Sequence, residues 1–222
     1  MNFFKYLLSF VFILLLSGCN NKELITIENG KVGMIGFGSL MSKRSMERTL
    51  QRKYEDSVYL VHLEGYQRAW NYYTPIKRIV DNELFYLNNG DTIPIHNQIA
   101  LNIMDTPDKK MNCVLFFITP EELIGFDERE FGYNRVDVTD NIEEYRFKGG
   151  RIYAYKADDE HTYQHKKGDN TFLPEYYLNL VTEACDSIGP EFRQEFEAST
   201  IPHDAAKVVS QSKVYRKEKV KQ

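Results

Sequence analysis

Apolar and polar residues alternate along this chain in three rhythms. The first is an unbroken apolar run, "YLLSFVFILLL" at residues 6–16, behind a short start with one lysine, Lys5. It is too short for a hydrocarbon core that needs about 20 residues. Its length fits the apolar centre of a secretory leader. The second rhythm is short and strand-like. "KVGMIGFGSL" opens as a strand and ends in glycine, and "SVYLVHLEGYQRAWNYY" has strand composition broken by Gly65. "ELFYLNNGDTIPI" and "EYRFKGGRIYAYKA" put Asn89-Gly90 and Gly149-Gly150 between strand-like runs, which predicts two hairpins. "QIALNIM", "CVLFFIT" and "RVDVT" read as further strands, and the continuous apolar stretch of "CVLFFIT" predicts a central one.

The third rhythm has the helical period. "SKRSMERTLQRKY" and "PEFRQEFEAS" read as helices. "LPEYYLNLVTEACDSIGP" is the clearest, with Tyr177, Leu180, Val181, Ala184 and Ile188 on one face and Gly189-Pro190 as its stop. In "TPEE", Thr119 suits an N-cap, Pro120 the first helical position and Glu122 the third. A short helix should start there and fray near Glu130 to Gly132. Many strands with a few peripheral helices predict an α+β domain, with a small closed or barrel-like sheet.

Composition narrows the classes. The chain has 28 basic and 32 acidic residues, and one of the basic ones, Lys5, would leave with the leader. A net negative chain argues against nucleic acid as a partner. The 15 tyrosines and 14 phenylalanines favour sheet. About 200 residues beyond the leader are enough for one sizeable core. The basic end, "KVYRKEKVKQ", reads as a solvated tail.

The leader ends in "LSGC", which resembles the bacterial lipobox. Residues 1–18 would then be a lipoprotein signal peptide. Cys19 would be acylated, and buried chains add about 0.8 kcal/mol of membrane affinity per methylene. Residues 19–30 would form the lipidated cysteine and a polar tether, 31–210 the domain, and 211–222 the basic tail. The expected location is the cell envelope, with Asn20 leaning toward the outer membrane. The remaining cysteines, Cys113 and Cys185, sit in apolar contexts that suit buried free thiols, although an oxidising envelope permits a bridge.

Two stretches carry candidate chemistry. In "GFGSL", Gly36 and Gly38 flank Phe37 just after a strand, so the backbone can turn sharply and present amides to an anion. Alone, the signal is weak, because Gly-x-Gly-Ser turns are common and a plain loop accounts for it. The third glycine of a dinucleotide fingerprint is missing, and Ser39 lacks the flanking glycines of a nucleophile elbow. In "GFDEREFGYNRV", Asp127, Glu128, Arg129 and Glu130 are either a solvated helix end or hold a working carboxylate. His161 and His165 in "HTYQH" lie four apart, but no acidic base lies between them, and they read as surface histidines rather than a zinc pair. Trp70 reads as core.

Taken together and in order, "IGFGSLM", "LEGYQRAWN", "EELIGFDEREFGYNRVDV" and "LPEYYLNLV" resemble the gamma-glutamylcyclotransferase-like superfamily over roughly residues 31–190. The resemblance implies a small mixed β-barrel flanked by helices, with a pocket between the glycine turn and an acidic residue. It places the catalytic acid on Glu130 and the substrate-carboxylate turn on Phe37, Gly38, Ser39 and Leu40, with Tyr133 and Arg135 as secondary candidates. Phe37 stands where members usually carry tyrosine, so that hydroxyl is lost. The implied reaction is cyclisation of a small gamma-glutamyl amine or peptide to 5-oxoproline, with no metal and no cofactor. A non-catalytic binding module on the same fold stays open, as does a hydrolase or acyl transfer.

Overall fold

The computed structural model describes residues 22–28, 30–79, 83–164 and 170–216. The leader, Cys19, His165 and the last six residues lie outside this set.

The elements run β1 (Glu23–Thr26), β2 (Val32–Gly36), α1 (Lys43–Leu50), β3 (Tyr59–Pro75), α2 (Ile76–Ile79), β4 (Leu84–Asn88), β5 (Asp91–Ile95) and β6 (Asn97–Ile118). Then follow α3 (Pro120–Arg129), β7 (Tyr133–Asp137), β8 (Tyr145–Lys148), β9 (Ile152–Ala157), β10 (Thr171–Pro174), α4 (Glu175–Ile188), α5 (Pro190–Ala198), β11 (Thr200–Ile201), β12 (Val208–Val209) and β13 (Val214–Arg216). The main sheet has the order β11-β3-β6-β2-β9-β7, with β10 and β12 attached through β6. The α+β class is as expected. Among the described residues, however, the pairing is an open path from β11 to β7 and does not close into a barrel.

The centre of the sheet is β6, antiparallel to both β2 and β3. Its second half, Met111–Ile118, is buried almost throughout because it has neighbours on both edges and faces. That explains an apolar run without alternation. The two strands expected at "QIALNIM" and "CVLFFIT" are one long strand. β3 pairs with both halves, and Glu64↔Lys110 gives way to Tyr66↔Asp105, so Gly65 alone faces residues 106–109. Gly65 takes φ +82° to make that bulge.

The Asn89-Gly90 hairpin forms as expected, with both turn residues at positive φ between β4 and β5. The second hairpin does not. Gly149 turns the chain at φ +91°, but β8 pairs in parallel with β1, and β9 pairs with β2 and β7. Ile27 explains the outcome. Its side chain fills the space over Gly150, and its N–H donates to the Lys148 carbonyl at 2.8 Å, so the N-terminal segment takes the edge of β8. Part of the expected tether is thus strand, and Ile27 is core. The basic tail is shortened likewise: Val214–Arg216 pairs with β4, and Tyr215 stacks on Phe85 at 5.8 Å. No helix among the described residues is long and apolar enough to cross a membrane.

Candidate active site

Three backbone devices bring the two motifs together. β2 ends at Gly36, and the chain enters a single 3-10 turn over Ser39–Met41, closed by Met41 N–H to the Gly38 carbonyl at 2.9 Å. A Cβ on Gly36 would lie 2.8 Å from the Leu40 carbonyl oxygen and 2.8 Å from Val114 Cγ2, so only glycine lets the turn fold this tightly over β6. A Cβ on Gly38 would press the Tyr177 hydroxyl at 3.2 Å. The first amides of the turn have no partner within it, as at any helix start.

The second device is α3. Its capping box forms as expected: Glu122 N–H donates to Thr119 Oγ1 at 3.3 Å, and Thr119 N–H donates to Glu122 Oε2 at 3.0 Å. Pro120 occupies the first turn, and Leu123 and Phe126 anchor the helix in the core. With its start pinned, the helix ends at Arg129 and leaves Glu130 as the C-cap, at φ −90° and ψ 47°. Gly132, at φ +79°, reverses the chain into β7. His161 fills the room a side chain there would need, 2.7 Å from a Cβ on Gly132. His161 is therefore no surface histidine. Its Nδ1 lies 2.8 Å from Asp158 Oδ1 and its ring stacks with Tyr72.

The third device is α4, which lays Tyr177 over the turn. Trp70, in the core as expected, backs it edge-on at 6.0 Å.

One cavity results, walled by Ile35, Phe37–Leu40, Leu101, Glu130, Tyr133, Tyr155 and Tyr177. Every proposed member of the glycine turn, Glu130 and Tyr133 thus face the same space. Arg135 does not; its Nη1 pairs with Asp127 Oδ2 at 2.7 Å. The cavity volume is about 30 Å³, room for a water or two. Glu130, a member of the lining, keeps its side chain 16% exposed.

Burial raises the Glu130 pKa above the ordinary carboxylate value, and the neighbouring Arg129 opposes the shift, its Nε 3.1 Å from Glu130 Oε1. Desolvation is the cause, rather than repulsion from Asp127 and Glu128. Asp127 is occupied elsewhere, accepting from Arg135 and, at 2.7 Å, from the Tyr155 hydroxyl. The tyrosines stay neutral. Burial first, then nearby phenols and Glu130, holds Tyr133 well above its usual range, and burial pushes Tyr177 up to about 12. The Tyr133 hydroxyl donates to the Leu101 carbonyl at 2.6 Å and its ring stacks on Tyr72 at 4.1 Å.

From the sequence, Arg129 reads as a charge that opposes the shift at Glu130, which the structure bears out, while Tyr155 and Tyr177 go unmarked as parts of this site. Tyr177 shares the apolar helix face with Val181 and Ala184, so its spacing marks it as core and carries no sign of a phenol at a site. No pattern marked Tyr155.

Among the described residues, one cluster could offer metal donors. His62, Glu143 and Glu144 place ligand atoms within 4.8 Å of one another. It lies outside the cavity lining, and its members already bond within the protein: His62 Nδ1 to Glu144 at 2.5 Å, His62 Nε2 to Glu195 at 2.6 Å, and Lys110 to Glu143 at 2.8 Å. Cys113 and Cys185 are free and buried.

No protein-family model and no curated protein matches the sequence. Solved structures do match. One titled gamma-glutamyl cyclotransferase aligns with 82% of this chain and 95% of its own, at 12% identity and a TM-score of 0.51. An uncharacterized protein from Homo sapiens aligns with 83% and 96%, at 13% identity and a TM-score of 0.50. Identity this low speaks for the fold alone: the chain has the mixed α+β fold seen in gamma-glutamyl cyclotransferase.

Proposed function

We propose that this chain is an enzyme that cyclises a gamma-glutamyl amine or peptide to 5-oxoproline, with Glu130 as general acid and base. The observation that carries the reading is the shared cavity, in which the one carboxylate faces the Phe37–Leu40 turn. In the reaction the substrate's α-amine attacks its own γ-carbonyl carbon. The new C–N bond closes a five-membered ring, and the bond to the leaving nitrogen breaks. One proton comes off the attacking amine and one goes onto the leaving nitrogen, so a carboxyl that takes the first and supplies the second ends as it began. Because ring closure is intramolecular, the protein need only hold a near-attack conformer. A carboxyl whose pKa burial has raised toward neutrality suits both roles. The amides of the turn would hold the substrate's α-carboxylate.

The same reading extends to location. "LSGC" supports acylation of Cys19 and attachment to an envelope membrane. Mass spectrometry of the mature N-terminus tests this, and Cys19→Ser should release the protein to the soluble fraction.

A non-catalytic binding module is the second reading. Phe37 in place of tyrosine favours it, as does the narrow cavity. Incubating the protein with a panel of gamma-glutamyl amines and peptides separates the two. Release of 5-oxoproline, abolished by Glu130→Gln, supports the enzyme. Binding without release supports the module, and free glutamate would indicate hydrolysis instead.

A further inference from the structure

The guanidinium of Arg129 joins parts of the site that the fold brings together from distant stretches of sequence. Its Nη2 donates to Ser39 Oγ at 2.8 Å and to Ser45 Oγ at 3.2 Å. Its Nη1 donates to Thr49 Oγ1 at 2.6 Å and to the Ser45 carbonyl at 3.3 Å. Its Nε faces Glu130 Oε1 at 3.1 Å. An arginine side chain has five N–H donors in a rigid fork, and here the fork has as many acceptors around it. Ser45 and Thr49 lie one turn apart on α1, so the fork grips one face of that helix while an arm reaches into the glycine turn. The contacts span the turn, α1 and the end of α3.

We propose that Arg129 is the positioning residue of this site, fastening the glycine turn and α1 to the end of α3 and so fixing where the Glu130 carboxyl stands against the turn. The proposal deepens the cyclotransferase reading and rests on it for its kinetic consequence, but its geometric content stands apart. Arg129 is also the charged group that acts on Glu130. Among the described residues, the other titratable groups that feel the Glu130 charge are phenols: Tyr72 of β3, Tyr133 of β7, Tyr155 of β9 and Tyr177 of α4, each held neutral chiefly by burial. Arg129 therefore has two separable effects. Its charge favours the ionised carboxyl, and its fork holds the turn. Lysine keeps the first and loses the second.

The experiment compares the full chain with Arg129→Lys and Arg129→Gln. The Glu130 carboxyl is titrated by NMR in protein carrying carboxyl-labelled glutamate, with Glu130→Gln assigning the signal. Backbone hydrogen exchange is followed over residues 37–42. Arg129→Gln should move the Glu130 titration to higher pH, and Arg129→Lys should leave it near wild type. Both should speed exchange in the turn by about tenfold or more, while the β6 amides stay protected. In the 5-oxoproline assay both should raise KM by about tenfold or more, since a misplaced turn weakens substrate positioning. An unchanged titration in Arg129→Gln, or a turn that exchanges at the wild-type rate in both variants, overturns the proposal. Should Arg129→Gln fail to fold, Arg129→Lys still decides through exchange. A wild-type protein that releases no 5-oxoproline removes the cyclisation reading, while titration and exchange continue to judge Arg129.

Discussion

Two glycines, Gly36 and Gly125, allow the tightness of the site to be measured by adding the same methyl group twice. At Gly36 the new Cβ would stand 2.8 Å from the Leu40 carbonyl oxygen, 2.9 Å from the Leu40 carbonyl carbon and 2.8 Å from Val114 Cγ2. Ordinary contact needs about 3.5 Å, so something must move by more than half an ångström. The blocking atoms are the backbone of the 3-10 turn and a side chain rooted in the central strand, neither of which can swing aside. Overpacking of this kind costs about 1–3 kcal/mol, and each kcal/mol lowers the melting temperature by roughly 2–4 °C in a domain this size. At Gly125, inside α3, the nearest atom to a new Cβ is the Thr49 carbonyl oxygen at 3.7 Å. Alanine there should stabilise by about 0.5–1 kcal/mol, because glycine is a poor helix former. Urea unfolding with unchanged slope reads both effects. The 5-oxoproline assay reads a third: Gly36→Ala displaces the turn and should lose up to about 100-fold in rate, whereas Gly125→Ala should not. Gly36→Ala within about 0.5 kcal/mol of wild type, the ordinary range for a surface change, would refute the reasoning, because the turn would then have slack that the geometry denies.

Three other perturbations test separate links. Glu130→Gln should reduce turnover by about 10²–10⁴-fold. It should also raise the melting temperature at neutral pH, since a buried carboxyl with a raised pKa costs stability once ionised. That gain should vanish as pH falls through the folded pKa toward the ordinary value of 4.5, and thermal scans across pH check it. Thr119→Ala removes the Oγ1 acceptor of the capping box and should cost about 1 kcal/mol by denaturant unfolding. His62 tests a distant clasp. Burial alone would lower its pKa, but the bonds to Glu144 and then Glu195 outweigh burial, and the net shift is upward from 6.5. Its contribution is full below pH 6.5 and is lost as pH rises through the raised value. The stability gap between wild type and His62→Gln should therefore shrink on the alkaline side; a gap independent of pH would mean that the clasp carries no charge.

How much of this was legible in the sequence depended on whether the cause was local. The α3 capping box, the Asn89-Gly90 turn and the stop of α4 are each decided by residues a few positions apart, and each forms where expected. Pairing partners are decided by distant competition. The Gly149-Gly150 turn is present, yet β8 goes to β1, because Ile27 finds its cover there and no short window contains both segments. For the same reason the long β6 looked like two strands: its middle, from Asp105 to Lys110, is polar because it bulges out opposite Gly65.

The site divides along the same line. Glu130 and the glycine turn were legible through the resemblance of their motifs, taken in order, to the gamma-glutamylcyclotransferase-like superfamily, and the capping box of α3 fits the place of Glu130 at that helix's end. What the sequence could not convey is why Glu130 is perturbed. Reading the acidic run in one dimension suggests repulsion from Asp127 and Glu128. In three dimensions Asp127 turns outward to Arg135 and Tyr155, and rings from β7, β9 and α4 desolvate Glu130 instead. This distinction matters chemically. A carboxylate raised by like charges is sensitive to salt, whereas one raised by burial keeps its pKa as ionic strength changes. The acid limb of the activity profile should accordingly hold its position between low and high salt, and a limb that slides by a full unit would return the cause to the neighbouring charges.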